Sequence, residues 1–244
     1  MADYDADPNG GETSAARALD RLVRERHSCR AFRPEPVARE LIEQILSTAQ
    51  RSASWCNSQP WQLIVTEGAE TDRFREALFA HASAQSWADQ RTRPEQPDFD
   101  FPLRYTGLYK DRQRATGWAL YDSVGIAFGD REASGRQVLE NFRLFGAPHV
   151  MIVTTEADLG VYGAIDCGGW IANVMLVAQS MGVATIAQAA LAGVAGFVRN
   201  WFALPPERQI VCGISFGYAD AAHPANSFRT TRAPLAEVVR FVGG

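Results

Sequence analysis

The sequence has no run of consecutive apolar residues long enough to cross a membrane and no surplus of positive charge. No such run approaches the roughly 18 residues that a membrane helix needs, and the small, acidic first residues do not predict a signal peptide. With 24 lysines and arginines against 28 aspartates and glutamates, the chain lacks the basic character of general nucleic-acid-binding proteins. We therefore expect neither a membrane nor a nucleic acid as partner.

Cysteine clusters and common catalytic motifs are also missing. The four cysteines, at positions 29, 56, 167 and 212, form neither CxxC pairs nor a zinc spacing. Scattered single cysteines are typical of a reducing compartment, so the sequence predicts a cytoplasmic protein without a metal site. No GxGxxG follows a predicted strand, and neither GxxxxGK[ST] nor HExxH occurs. Residues 213–217 fit GxSxG, but they lie inside a predicted strand without a suitable histidine, which disfavours a serine hydrolase.

Length and patterning predict one α+β domain. The 244 residues are 46% hydrophobic and 21% charged, which suits a globular domain with a sizeable core. Residues 1–13 are polar and without periodicity, so we expect a disordered tail there and a single domain over 14–244. The hydrophobic pattern predicts strands over 61–66, 149–155, 183–187 and 209–217. It predicts helices over 15–26, 37–52, 71–90 (with Thr71 as N-cap), 107–124, 131–145, 164–181 and 193–202. A long irregular excursion covers 91–105, and an apolar segment covers 234–242.

Five residues, Arg26-His27-Ser28-Cys29-Arg30, concentrate positive charge in a chain that is acidic overall. Arginines four residues apart lie on one face of a helix. Their planar guanidinium groups suit phosphate and carboxylate better than the point charge of lysine does. The segment therefore predicts either an anion site or a solvated helix end.

Three other segments are each ambiguous alone. Residues 54–61 (SWCNSQPW) crowd hydrogen-bonding side chains before a predicted strand, as in a ligand-binding loop or a capped turn. Residues 187–190 (AQAA) place small side chains at a strand-to-helix junction, which suits either a flat ligand or tight packing. Residues 226–234 (NSFRTTRAP) carry two cations, as in an anion site or a solvated loop.

The predicted helix over 164–181 has an apolar stripe and small residues beside it. The stripe predicts core packing, whereas Gly168, Gly169 and Ala172 would let two copies of this helix approach across a symmetric interface. Asp166, near the predicted start, is expected to stabilise the helix N-terminus through the macrodipole.

Taken in order, these segments resemble the FMN-dependent nitroreductase family. The resemblance runs from about residue 21 to residue 242. It rests on the Arg-x-Ser-x-Arg element at 26–30, the Asn-x-Gln-Pro-Trp element at 57–61 and the Arg-x-Pro element at 232–234. Residues 140–148, the long 91–131 insertion and Trp55 look most like the nitroaromatic (nitrobenzoate-type) reductase branch.

The resemblance implies an α+β, nitroreductase-like fold with a central mixed sheet flanked by helices. It implies a homodimer in which the C-terminal segment is exchanged onto the partner and tightly bound FMN lies at the subunit interface. The activity implied is a ping-pong oxidoreduction from NAD(P)H to an electron-poor acceptor such as a nitroaromatic or a quinone. The flavin, and no catalytic side chain, carries the chemistry in this family, and residues 91–131 are expected to shape the acceptor pocket.

The resemblance also implies which residues bind the FMN phosphate. Arg26 and Arg232 would hold it, with Arg229 a weaker contact. His27 stands where an arginine is frequent, which implies that phosphate binding is weaker or depends on pH.

The flavin ring is implied to contact a second group of residues. Ser28 would bond the ribityl chain or the ring, and Arg30 would lie near N1 and O2, where a cation favours the negative charge that reduction brings. Trp55 would narrow the acceptor side of the ring or stack on it. The remaining implied contacts are the backbone of Gln188, Ala189 and Ala190 and, from the other subunit, Ser54 and Asn57.

Two alternatives stay open. The first is a specialised flavoenzyme of the same fold, such as a reductive dehalogenase, a flavin-fragmenting enzyme or a tailoring dehydrogenase. The second is a non-catalytic flavin-binding protein, which would hold FMN that NAD(P)H does not reduce.

Overall fold

The computed structural model describes residues 13–84 and 97–243. The predicted tail lies outside this part except for Thr13, as do the end of the third predicted helix and the first residues of the irregular excursion. The helices are α1 (Ser14–Glu25), α2 (Arg39–Ala49), α3 (Ala69–Ala84), α4 (Gly107–Ser123), α5 (Arg131–Leu139), α6 (Gly160–Ser180), α7 (Ala189–Ala192), α8 (Ala195–Trp201) and α9 (Leu235–Val238). The strands are β1 (Gln62–Val65), β2 (His149–Glu156), β3 (Ala184–Gln188) and β4 (Arg208–Gly217).

The four strands form one sheet in the order β1-β2-β4-β3. All three strand pairings are antiparallel, so the mixed sheet that the resemblance implied is corrected. In the described part of the chain, the parallel component is one isolated bridge between Ser28 and Thr185. That bridge adds the segment after α1 to the free edge of β3.

Helices cover both faces of the sheet, which explains why β2 is buried from His149 to Thr155. Met151 and Val153 pack with α2 and α6 on one face. Val150 and Ile152 pack with α3 and α8 on the other face. Successive strand residues point to opposite faces, and here each face meets a hydrophobic core.

A β-bulge at Val211 transfers β4 from one core to the other. Val153 pairs with Cys212, but the next residue, Thr154, pairs with Ile210. Residues two apart on a regular strand share a face, and an extra residue breaks that rule. Cys212 accordingly lies in the core under α2 and α6, and Ile210 lies in the opposite core.

Among the predicted helix boundaries that differ from the structure, two have a clear local cause. Thr71 is not an N-cap, because α3 begins at Ala69 and the buried Thr71 hydroxyl hydrogen-bonds the Thr66 hydroxyl at 2.8 Å. The helix predicted to reach residue 145 ends at Leu139. Leu144 and Phe145 have φ values of 56° and 52°, and left-handed residues of this kind end a right-handed helix.

Gly213 lets the short helix α7 lie directly on β4. A Cβ at this position would collide with the Leu191 side chain. Ser215, two residues on, is fully buried and donates its hydroxyl proton to Gln188 Oε1. The GxSxG pattern therefore serves packing, and its serine is not an exposed nucleophile.

Helix α6 is long and apolar because it faces two environments. With the preceding turn it is the one helix of the described residues that is long and apolar enough to cross a membrane, by length and composition alone. Cys167, Trp170 and Val174 on one side are buried in the core. Val161 and Ile165 near its start are 65% and 58% exposed.

His149 joins three parts of the fold through a buried imidazole. The Val37 N–H donates to His149 Nε2 at 2.9 Å, and Nδ1 lies 3.2 Å from the Thr66 carbonyl oxygen. Because Nε2 accepts, the proton of the neutral ring is on Nδ1 and is donated to Thr66. Burial lowers the pKa of His149, and the bond to Thr66 offsets part of that effect.

Acid should weaken this fold through His149. Since the folded-state pKa is lowered, stability is complete above the unfolded-state pKa of about 6.5 and is lost as the pH falls below it. Glutamine mimics both hydrogen bonds without titrating, so His149→Gln should flatten the stability profile by up to about 1.4 kcal/mol per pH unit. Urea unfolding between pH 7 and pH 5 measures this, and parallel profiles for the two proteins would contradict it.

Candidate functional site

The segment Arg26 to Arg30 is extended rather than helical. Helix α1 ends at Glu25, and Arg26 has a ψ of 126°. Ser28 bridges Thr185 of β3, whose carbonyl oxygen accepts the Cys29 N–H at 3.1 Å. The expected helical face is therefore wrong. Alternate residues of an extended chain share a side, so Arg26, Ser28 and Arg30 still lie together, opposite the buried Cys29.

Arg229 and Arg232 join this segment from the far end of the sequence. Burial lowers the pKa of Arg26, and the nearby charge of Arg232 lowers it further. Burial also lowers the pKa of His27. The hydrogen bond to the Glu25 carbonyl oxygen raises this pKa and offsets part of the effect, whereas the charges of three arginines lower it further. Those three are Arg229, Arg26 and Arg30. We call the resulting group the cationic cluster: Arg26, His27, Arg30, Arg229 and Arg232.

The cationic cluster contains no counter-charge. Across 13–84 and 97–243, no carboxylate forms an ion pair with any of its four arginines. The neighbouring Arg24 and Arg33 do have carboxylate partners, at 2.7 and 4.0 Å. Burial lowers the pKa of Arg30. Arg26 and Arg30 are partly buried, and Arg229 and Arg232 are exposed. Guanidinium groups without acidic partners are suited to binding a multiply charged anion.

Arg30 is placed by contacts with backbone and with an aromatic ring. Its Nη1 donates to the Ser28 carbonyl oxygen at 3.2 Å. Its guanidinium carbon lies 5.4 Å from the centre of the Phe228 ring, within the range of a cation–π contact. The Arg30 side chain is therefore held between the extended segment and the C-terminal segment.

The junction from β3 to α7 lies on the same sheet edge as Ser28. The Gln188 side chain is used inside the protein, because its Nε2 donates to the Asn141 carbonyl oxygen at 2.8 Å and its Oε1 accepts from Ser215. Ala189 is exposed and Ala190 is half-buried. The junction thus presents small side chains beside the extended arginine segment.

The loop over 54–59 is exposed and strained. Cys56, Asn57 and Gln59 have φ values of 52°, 55° and 48°, and none is glycine. Each such conformation costs about 1–3 kcal/mol and persists only where surrounding contacts enforce it. One such contact is internal, since the Gln59 N–H donates to Ser54 Oγ at 2.9 Å.

Helix α6 supplies the other contacts that hold this loop. The Trp55 N–H and the Ser58 hydroxyl both donate to Asp166 Oδ2, at 3.0 and 3.5 Å. The Trp55 and Tyr162 rings lie 4.6 Å apart between centroids. Since α6 begins at Gly160, Asp166 is in the second turn, and the expected macrodipole role is wrong. Sequence reasoning missed both α6 residues because they meet the loop over a separation of more than 100 positions.

Within one chain, the loop and the cationic cluster remain apart. Among the described residues, no hydrogen bond, ion pair or ring contact joins Ser54, Trp55 or Asn57 to the cluster. The structure therefore brings together the arginine segments and the junction at 187–190, and among the described residues the loop at 54–61 makes none of these contacts with the cluster.

The irregular excursion is anchored beside the junction at its described start. Asp98 accepts from Arg199 Nη2 at 2.6 Å and from the Ile210 N–H at 2.7 Å. Phe101 packs into the same core as Ala190, and its ring would lie 3.3 Å from a Cβ on Gly193. Asp98 and Phe101 are therefore fixed next to the start of β4 and to the helical turn that follows the junction.

Comparison with known proteins identifies close relatives. The model of the nitroreductase family matches residues 23–218. A nitroreductase NfnB of Mycolicibacterium smegmatis is 34% identical over 238 residues, which cover 96% of this chain and 97% of the relative. A 4-nitrobenzoate reductase of Nocardioides is 34% identical over 232 residues, which cover 93% and 91% of the two chains.

A solved structure has the same fold. The crystal structure of the FMN-dependent nitroreductase NfnB from Mycobacterium smegmatis, in complex with NADPH, superposes with a TM-score of 0.85 at 32% identity. The superposition covers 94% of this chain and 100% of the solved chain. The fold that the resemblance implied is confirmed.

Replacing Asp166 should release the strained loop. A hydrogen bond to a charged acceptor is worth about 1.5–3 kcal/mol, so Asp166→Ala should speed hydrogen exchange of the Trp55 amide by about 10- to 100-fold. Amides of β2 should keep their protection. Asp158→Ala removes a nearby carboxylate that does not contact the loop and serves as control. Unchanged exchange at Trp55 in Asp166→Ala would show that this contact does not hold the loop.

Proposed function

The chain belongs to the nitroreductase family, and from that premise we propose that it binds FMN and transfers electrons from NAD(P)H to electron-poor aromatic acceptors such as nitroaromatics or quinones. The observation that carries the proposal is the cationic cluster, which has no acidic partner in the described part of the chain. Within this cluster, Arg26, Arg229 and Arg232 suit the phosphate of FMN, and Arg30 suits its ring. The relatives, described as nitroreductases and nitrobenzoate reductases, support the choice of acceptor.

The donor set fits the phosphate end of FMN. A phosphate monoester carries nearly two negative charges near neutral pH, and each charge-assisted hydrogen bond contributes about 1.5–3 kcal/mol. Arg232 lies close enough to Arg26 for its charge to lower the pKa of Arg26, so these two residues would hold the phosphate, with Arg229 beside them. FMN bound in this way needs no covalent link.

The residues along the sheet edge fit the ring end. Ser28, two residues from each of the flanking arginines, would bond the ribityl chain or the ring. Arg30 would lie at N1 and O2, and its charge would offset the negative charge that the ring gains on reduction. The small residues Ala189 and Ala190 would let the backbone at 188–190 approach N5 and O4 without steric hindrance.

The chemistry itself belongs to the cofactor: FMN, when bound, accepts a hydride from NAD(P)H and delivers electrons to the acceptor that replaces the nicotinamide. The chain's residues bind the phosphate, orient the ring and set its electrostatic environment. We propose no catalytic acid or base among them. Trp55, whose ring is 62% exposed and packs on Tyr162, would restrict the acceptor side to flat aromatic molecules.

The separation of the loop at 54–59 from the cationic cluster supports a homodimer. In a dimer of the kind implied by the resemblance, Ser54, Trp55 and Asn57 of one subunit would complete the site of the other. Helix α1 supports this arrangement, because it buries no residue and leaves Leu19 and Val23 55% and 54% exposed.

The C-terminal segment also supports a second copy. It leaves five large apolar side chains exposed: Leu235, Val238, Val239, Phe241 and Val242. Its ion pair to the described chain, between Glu237 and Arg112 at 3.3 Å, is itself exposed. We propose that this segment is exchanged onto the partner, where its apolar residues would be buried. We further propose a single FMN-binding domain over 14–244 and a cytoplasmic location, which the four free thiols favour.

Two arginine substitutions test the proposed roles. Arg26→Ala should weaken FMN binding by about 10- to 100-fold, because it removes a charge-assisted phosphate contact. Riboflavin, which lacks the phosphate, should bind nearly as before. Arg30→Ala should make the reduction potential of bound FMN more negative. Fluorescence titration and a redox-dye titration measure the two effects.

Arg33→Ala is the matched control, because Arg33 is exposed and packs on Tyr218 outside the cluster. It should leave affinity and potential unchanged. A colourless wild-type protein that rejects FMN would refute the proposed function. Bound FMN that neither NADH nor NADPH reduces would favour a non-catalytic flavin protein, and reduced enzyme that ignores nitroarenes would favour a specialised flavoenzyme.

His27 should make FMN binding depend on pH. Its pKa is lowered in the free protein, chiefly by burial and further by the surrounding arginines, and a bound phosphate dianion should raise it. Binding then takes up a proton between the two pKa values, so FMN affinity should rise as the pH falls through that window, by at most about tenfold per pH unit. Fluorescence titrations from pH 8 to pH 5 measure this.

The phosphate itself has a second pKa of about 6 and loses charge in the same range. His27→Asn keeps a donor toward the Glu25 carbonyl without titrating in this range, and it therefore reports the contribution of the phosphate alone. The affinity ratio of wild type to His27→Asn should grow as the pH falls. A constant ratio would mean that His27 does not sense the phosphate.

A further inference from the structure

Asn226 is a buried amide at the meeting point of the two arginine segments. Its side chain makes three hydrogen bonds: Oδ1 accepts the Arg30 N–H at 2.6 Å, and Nδ2 donates to the Ala31 and Asp220 carbonyl oxygens at 2.9 and 2.8 Å. The residue is 6% exposed. Both amide protons and one lone pair of the amide oxygen thus form hydrogen bonds, and all three partners are backbone groups.

The main chain of the same residue holds the other half of the cluster. The Asn226 carbonyl oxygen accepts from Arg229 Nη1 at 2.8 Å. Two residues on, the Phe228 ring faces the Arg30 guanidinium. The Asn226 N–H donates to the His223 carbonyl oxygen at 3.0 Å, which fixes the turn that carries these groups.

We propose that Asn226 is the positioning residue that sets the distance between Arg30 and the phosphate-binding arginines, and that it thereby makes the site select phosphorylated flavin over unphosphorylated flavin. The inference rests on the proposed function. It adds a role for a residue that touches neither phosphate nor ring and acts through Arg30 on one side and Arg229 on the other.

The physical reason lies in the mutual repulsion of the cluster. Like charges at short range separate unless the backbone that carries them is fixed. Asn226 fixes both backbones with a neutral group. A carboxylate at this position would still accept the Arg30 N–H, but it would lose both donors and would attract an arginine that the phosphate needs.

Removal of the Asn226 side-chain amide should therefore weaken binding of the flavin phosphate more than binding of the flavin ring. In titrations of the apo protein with FMN and with riboflavin, Asn226→Ala should lower the affinity for FMN by about 10-fold or more and the affinity for riboflavin by less than about twofold. Asn226→Asp should weaken FMN further, because its carboxylate competes for an arginine. Asn173→Ala removes a different side-chain amide bond, to Ser52 Oγ at 2.8 Å, and should keep the wild-type ratio of the two affinities.

The outcomes separate this inference from the proposed function. Wild-type protein that binds neither flavin refutes both. Wild-type protein that binds FMN, with Asn226 variants that weaken both flavins by one factor or neither of them, overturns the positioning role alone. If Asn226→Ala does not fold, Asn226→Ser, which keeps one donor and one acceptor, takes its place. Its affinity for FMN should fall selectively in the same way, by a smaller factor. The ³¹P resonance of bound FMN should shift in either folded variant, and an unmoved resonance counts against the inference.

Discussion

Positive charge gathered without a carboxylate partner among the described residues is the constraint around which the site is organised. At about 4 Å, two like charges repel by about 1 kcal/mol in water and by about 4 kcal/mol near a protein surface. Four guanidinium groups from two widely separated segments of the described chain therefore need a rigid support. The bridge from Ser28 to Thr185 supplies it on one side. On the other side, Asp220 donates its N–H to the Ala31 carbonyl oxygen at 3.0 Å, and Tyr218 accepts the Arg33 N–H at 2.8 Å.

Close packing behind the site makes that support stiff. Gly213 lets Leu191 press against β4, and Gly217 gives the same room to Pro148. The Gln188 amide is bonded to Asn141 and Ser215 beneath the surface. The hydroxyl of Ser215, the serine of the GxSxG pattern, and the Gln188 side chain are thus used to hold the backbone. The outer surface is left to alanines and arginines, a division that suits a protein whose reaction is carried by a bound cofactor.

Much of the fold follows from periodicity, because β2, β4 and α6 repeat their apolar residues at strand or helix spacing. The four strands are predicted to within a few residues. A helix boundary fails where single residues take left-handed conformations, as at Leu144 and Phe145. The change of face at the Val211 bulge is not predicted either, although the bounds of β4 are. Neither event leaves a mark on hydrophobic pattern.

The residues of the cationic cluster were predictable from the sequence, but the backbone conformation that brings them together was not. Arg26 and Arg30 share a side because the chain is extended, whereas spacing alone suggested a helix. Asp166 and Asn226 act on backbone N–H groups 111 and 196 positions away. A partner of this kind has no local signature, since any amide in the chain offers the same donor. Only the three-dimensional arrangement assigns these two residues their roles.

The 196 positions between Arg30 and Asn226 have a consequence for biosynthesis. The first half of the cluster leaves the ribosome well before the second half. With the cluster as the proposed FMN site, loading with cofactor has to wait until residue 232 has been made. A nascent chain that lacks residues 226–232 would hold the segments of all four strands and yet only half of that site. Flavin content would then report whether synthesis had passed residue 232.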